Sequence, residues 1–257
     1  MSAKMRAVMD EQSLEQTPDA GYTRDGGAYA ALRAAILSFE LAPGEKLSER
    51  GLEAVAGGSR TPVRAALMRL ASDGLVQRAG RGWQVAPIDL AEVRAVMEYR
   101  EALETAAVRL AVARASADEL DALRMLAAAY GEGDDGDGDH GIQDGTDFHV
   151  ALAGLSRNPF LTDGMSQVLT RLLRVRWLSA NTADSRAHAR AEHLEIVEAV
   201  AARDAERAVE LVTRHSHGTR DRLVGFLAGE RRRLRGSGIA VIGSGDPDAD
   251  ADTGADA

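Results

Sequence analysis

Three of the six histidines in this chain stand where a fold can hold a metal-ligating or proton-binding side chain inside itself. His149 shares a helical face with Leu152 and Ala153, His193 with Ile196, Val197 and Val200, and His215 with Ala208, Leu211 and Val212. Three- and four-residue spacing puts each group on one side of a helix, so all three rings are expected in the core of a helical bundle. Imidazoles converging from different helices suit zinc or a similar divalent ion. Two arginines fall on comparable stripes: Arg100 among Val93, Val96, Met97, Leu103, Ala107 and Leu110, and Arg176 beyond Met165, Val168, Leu169 and Leu172. An inward guanidinium demands an anion, because an unpaired buried charge is very costly. That anion is either a glutamate of the same fold or a carboxylate-bearing ligand, and the spacing leaves both open. Arg176 is preferred to Arg174 as the second anion-binding candidate because it continues the apolar stripe.

A second constellation lies near the N-terminus. Thr61 is a good N-cap and Pro62 suits a first helical position, having no N–H to lose. Val63, Ala66, Leu67 and Leu70 then face a core, which leaves Arg60 and Arg64 at the exposed start of a short helix. An arginine fork can bind guanine O6 and N7 bidentately, while hydroxyls and backbone N–H groups at a helix start hold phosphates. This stretch is read as a DNA-reading helix.

The elements that must position these residues follow from the chain as a whole. Its 257 residues suffice for two domains, each with its own core. There is no cysteine, which excludes disulfides and thiolate metal sites and is compatible with a reducing cytoplasm. No run of about 18 apolar residues occurs and no apolar h-region follows the N-terminus, so a cytoplasmic protein with no membrane partner is expected. The net charge of −9 is uneven. Residues 28–87 hold eight Lys or Arg against five Asp or Glu, whereas 131–147 carry −7 and 236–257 carry −5. A basic surface therefore survives a negative sum.

Residues 1–27 lack periodicity and are read as a disordered arm. Leu32, Ala35, Ile36 and Phe39 predict a helix over 29–41. A second helix capped by Ser48 turns inward Leu52, Val55 and Ala56, and Gly57 and Gly58 lead into the reading helix. Extended segments 75–78 and 83–85 flank Ala79, Gly80, Arg81 and Gly82 as a β-hairpin wing. Beyond Pro87 the pattern is helical throughout, with Asp89 as a cap, a helix over 117–130 and another over 161–180. The Gly- and Asp-rich run 131–139 is read as a flexible loop, since it lacks the terminal Glu of a calcium loop, and 236–257 as a disordered acidic tail. The expected fold is mainly α. A winged helix-turn-helix (28–87) precedes an all-α antiparallel helical bundle (88–235).

Ser59, Arg60, Thr61, Pro62, Val63 and Arg64, together with the stretches 41–49 and 73–76, resemble the winged helix-turn-helix of the GntR family of bacterial transcription regulators. In that family DNA contacts come from the residue types found here at Arg50, Ser59, Arg60, Thr61, Arg64, Arg81 and Gly82. The bundle resembles the FCD effector domain of the FadR-type branch through 99–104, 147–152 with Asn158 and Pro159, and Glu192 and His193 followed by His215. Metal-binding members use one Asp and three His, and the histidines match His149, His193 and His215.

The departure is Gly145, which stands where the family places its aspartate, four residues before the first histidine. Asp144, Asp147 or water is left as the fourth ligand. The resemblance implies a homodimeric regulator, a repressor, that binds double-stranded operator DNA under control of a small carboxylate-type effector. Two alternatives stand beside it: a metal-dependent enzyme built on the three histidines, though without a well-placed general base, and a metal-free dimerisation domain. The pyridoxal-phosphate branch of the family is excluded, because the only lysines are Lys4 and Lys46.

Overall fold

The computed structural model describes residues 22–129, 138–179 and 183–243. Residues 1–21 of the expected arm, most of the Gly- and Asp-rich loop and the tail from 244 lie outside the described residues.

The N-terminal domain begins with α1 (Tyr22–Leu37), which starts inside the stretch read as an arm. Gly26 and Gly27 mask its start in the sequence, since each glycine disfavours a helix by about 1 kcal/mol relative to alanine. Ala28, Leu32, Ala35 and Ile36 bury one face of α1 against Val63, Ala66, Leu67 and Leu70 of α2 (Arg60–Ser72). The expected helix between them is a series of irregular turns over 49–57. Ser48 Oγ accepts from the Gly51 N–H at 3.0 Å and Leu52 is buried, but three glycines within eight residues do not sustain a regular helix.

Ser59, with φ −80° and ψ 175°, is the N-cap of α2, so the helix starts one residue before the expected cap Thr61. Pro62 is tolerated because its missing N–H falls among the first orphan donors of the helix. The wing is β2 (Val76–Ala79) antiparallel to β3 (Gly82–Val85), with β1 (Lys46–Leu47) on the other side of β3.

The C-terminal domain is an antiparallel bundle. After β4 (Ile88–Asp89) come α3 (Leu90–Arg114), α4 (Ala117–Ala129), α5 (Gly138–Gly154), α6 (Pro159–Leu178), α7 (Ala183–Ala201) and α8 (Ala205–Gly236). Asp89, Asn158 and Asp204 cap α3, α6 and α8 by accepting from backbone N–H groups. One apolar core joins α3, α4, α5, α7 and α8 at one end, and a second joins α3, α6 and α8 at the end nearer the winged domain. The histidines and Arg100 lie where these cores meet, because α3, α5, α7 and α8 all pass there.

The tail reading needs correction at its start. β5 (Val241–Ile242) pairs in parallel with β4, and Val241 is fully buried. A two-residue strand leaves almost no trace in sequence; its pairing partner lies over 150 residues away.

Candidate functional site

Arg50, Ser59, Arg60, Thr61, Arg64 and Arg81 are exposed, and Gly82 is half-buried beside the wing turn. Arg60 Nε lies 3.1 Å from Glu53 Oε1, and Arg64 Nε 4.0 Å from Glu49 Oε1. Such exposed pairs are worth little, so phosphates and base edges can displace the two glutamates at small cost. Arg78 lies over Trp83, 3.8 Å from the ring centroid, which stiffens the wing strands on either side of the turn that holds Arg81.

The bundle brings His149, His193 and His215 together. One ligating nitrogen from each lies within 4.8 Å of the others, and all three are buried. His193 stacks on Phe148 with centroids 4.1 Å apart, which holds its ring plane.

Two carboxylates orient the other rings. Glu104 Oε1 lies 2.5 Å from His149 Nδ1, and Glu192 Oε2 lies 2.8 Å from His215 Nδ1. Each imidazole is thereby set to donate from Nδ1, leaving Nε2 as the ligand atom. Glu104 also accepts from Ser216 Oγ at 3.0 Å and pairs with Arg100 Nη2 at 3.3 Å. Arg100 Nη2 approaches His149 Nε2 to 2.6 Å, so the guanidinium and an ion compete for that nitrogen.

The electrostatics follow from burial and from Arg100. Burial is the largest influence on His149, and with the adjacent Arg100 charge it lowers the imidazole pKa to about 3. Burial likewise holds His193 well below the usual range, reinforced by His215 and His149, and lowers His215 against the opposing pull of Glu192. Burial alone would raise Glu104, but Arg100 and then His149 outweigh it, and the carboxylate stays ionised. Three neutral imidazoles, two of them held by carboxylates, are a donor set that fits a divalent cation.

Among the described residues no fourth protein ligand joins the three histidines. Gly145 is helical and one turn before His149, so the position on the ligand face has no side chain. Asp147 is exposed, and the Asp144 side chain lies outside the described residues.

The histidines open onto a cavity with about 100 Å³ available to water-sized occupants. Among the described residues, Arg100, Arg176 and Arg222 line it and no carboxylate does. Arg100 is 2 % exposed and its Nε has no hydrogen-bond partner. Arg176 Nη1 donates to Thr146 Oγ1 at 3.0 Å. Arg174 turns the other way and donates to the Ala86 carbonyl in the interdomain connection. Burial lowers its pKa to about 10, against the opposing charge of Glu92.

Sequence reasoning did not single out Glu104, Glu192 or Arg222 as site residues. The available signal for Glu104 is its position four residues after Arg100, on the same helical face. Arg222 stands seven residues after His215, two turns along one face of α8.

Residues 25–85 match the family of bacterial regulatory proteins named gntR, and residues 95–218 match the FCD domain. An HTH-type transcriptional regulator from an unstable DNA locus of Streptomyces ambofaciens is 34% identical over 76% of this chain and 83% of its own length. The HTH-type transcriptional repressor RspR of Escherichia coli (strain K12) is 28% identical over 73% of this chain and 83% of its own. Among solved structures, E. coli McbR/YncC superposes with a TM-score of 0.66 at 23% identity, covering 79% of this chain and 97% of that one.

Proposed function

The chain belongs to the gntR family of bacterial regulatory proteins and carries an FCD domain, so it is a DNA-binding transcriptional regulator and not an enzyme; on that premise we propose that it is a homodimeric repressor whose operator binding is controlled by a small carboxylate held in the histidine- and arginine-lined cavity. The observation that carries the effector assignment is the charge of that cavity: among the described residues three arginines line it and no acid does, and the Nε of the buried Arg100 has no partner. An unmet buried donor costs about 1–3 kcal/mol, which an anionic ligand recovers.

His149, His193 and His215 would hold a divalent cation, zinc or a similar ion, with one coordination position open. The ion would supply a positive charge against which one carboxylate oxygen of the effector binds. Arg100 and Arg176 then take the remaining anionic groups. With Gly145 in place of an acid, that position adds no negative charge beside the arginine-lined cavity, which favours an anion.

Reading of DNA rests on Arg50, Ser59, Arg60, Thr61, Arg64, Arg81 and Gly82. RspR is a repressor by name, and a dimer seated on an operator occludes the DNA beneath it. Tyr99 and Phe160 are 54 % and 84 % exposed, which is consistent with a partner protomer covering that face. Among the described residues no helix is long and apolar enough to cross a membrane, in keeping with action on cytoplasmic DNA. The test is calorimetric titration of chelator-treated protein with zinc and then with a panel of small carboxylic acids. Saturable zinc binding lost in His193→Ala supports the reading, and no zinc binding to the wild-type chain overturns its metal component.

A further inference from the structure

β5 lies beyond residue 218, where the match to the FCD domain ends, yet it touches both halves of the molecule. Ala240 stands at the centre of the contact. Its N–H donates to the Pro43 carbonyl of the winged domain at 2.9 Å, and its carbonyl accepts from the Ile88 N–H of the interdomain connection at 2.9 Å. The Ile88–Val241 and Asp89–Ile242 pairs extend this contact into a parallel ladder, and the Val241 carbonyl accepts from Arg235 Nε at 3.0 Å. The segment is therefore bonded to α8 behind it, to the connection beside it and to the winged domain in front.

The winged domain is shaped to receive it. Gly44 has φ +90°, a conformation that glycine adopts without strain, and a Cβ placed there would stand 2.5 Å from the Ala240 Cβ. Only a residue without a side chain admits the strand at that distance. Behind β5, α8 runs without interruption from His215 to Gly236, and Gly238 just beyond it, with φ +83°, turns the chain into the strand.

We propose that residues 239–243 are the positioning segment of the DNA-reading head, fixing its orientation on the effector domain through the two backbone bonds of Ala240. Without the segment, the connection at Ala86 and Pro87 and the side chains of α6 are left to hold the head, and domains joined mainly by side-chain contacts reorient readily. Among the described residues none of the segment's backbone hydrogen bonds goes to a DNA-reading residue, so its effect is on their placement.

The test measures orientation directly. The chain has no cysteine, so exposed Ala54→Cys in the winged domain and Ala117→Cys in the bundle accept a spin-label pair cleanly. Labelled protomers diluted into unlabelled protein report the distance within one chain. A single narrow distance is expected for the full chain and for a truncation that removes 244–257. Its loss to a broad distribution is expected on removal of 239–257 and in Ala240→Pro, which deletes the donor to Pro43, whereas Ala240→Ser keeps the donor and should restore the narrow distance. Circular dichroism establishes that each variant is folded; should the longer truncation unfold, Ala240→Pro decides. A narrow distance retained in folded Ala240→Pro and in folded protein lacking 239–257 overturns the proposal.

Discussion

Phe39 of the winged domain and Trp177 of α6 meet with ring centroids 5.0 Å apart, and Trp177 is the immediate chain neighbour of cavity-lining Arg176. One helix thus presents successive residues to the cavity and to the reading head. Beside this contact Arg171 binds Glu92 at 2.8 Å and Arg174 holds the Ala86 carbonyl. A shift of α6 on ligand binding has a direct route to the reading helix, provided the ligand binds the two arrangements with different affinity.

Trp177→Ala is expected to uncouple the domains. An aromatic pair is worth about 0.5–1.5 kcal/mol beyond its buried area, so the loss of thermal stability should be small. Zinc-induced stabilisation should persist while the zinc-dependent change in DNA affinity shrinks. Thermal melts and DNA titrations on the same preparation check both.

Arg64→Ala should weaken operator binding by about 1–3 kcal/mol, the typical worth of one bidentate base contact, and should leave zinc-induced stabilisation unchanged. Fluorescence anisotropy on DNA recovered by genomic selection with the full chain reads the loss. Unchanged affinity removes α2 from the reading surface.

Metal affinity should rise in Gly145→Asp, which places a carboxylate one helical turn before His149. The substitution also removes a helix-interior glycine, worth only about a few tenths of a kcal/mol because aspartate is itself a weak helix former. Competition against a chromophoric chelator measures the gain; no gain means that position 145 does not face the ion.

Acid should destabilise the chelator-treated protein from an unusually high pH. His149, His193 and His215 have folded pKa values below their unfolded value near 6.5, so below that pH the unfolded chain binds protons that the folded one does not. Their contribution is full above about 6.5 and is lost as pH falls toward the folded values, at up to about 1.4 kcal/mol per pH unit for each ring. Glu104, also lowered, adds its own loss below its unfolded value near 4.5. Denaturant midpoints between pH 7 and 5 should fall in the wild type and flatten in the triple His→Gln variant.

Much of this organisation is legible in the chain because it is local. The phase of His149, His193 and His215 is fixed by apolar neighbours three and four residues away, and Arg100 and Arg176 follow the same rule. Features that depend on distant pairing are not legible. The spacing from Arg100 puts Glu104 on the inward face but does not show that an imidazole meets it, and Ala240 meets Pro43 and Ile88 only after both domains have folded. The turns at 49–57 mislead for the opposite reason, since a helical pattern of apolar residues survives there while glycines break the backbone regularity.

The central claim, that the contents of the cavity govern the reading head, is tested most directly by the affinity of one protein preparation for its selected operator with zinc and with chelator. Coupling energies of about 1–3 kcal/mol predict a change of about 5- to 150-fold in the wild type that disappears in His193→Ala. Equal affinities in the wild type, with zinc binding shown on the same sample, would contradict it.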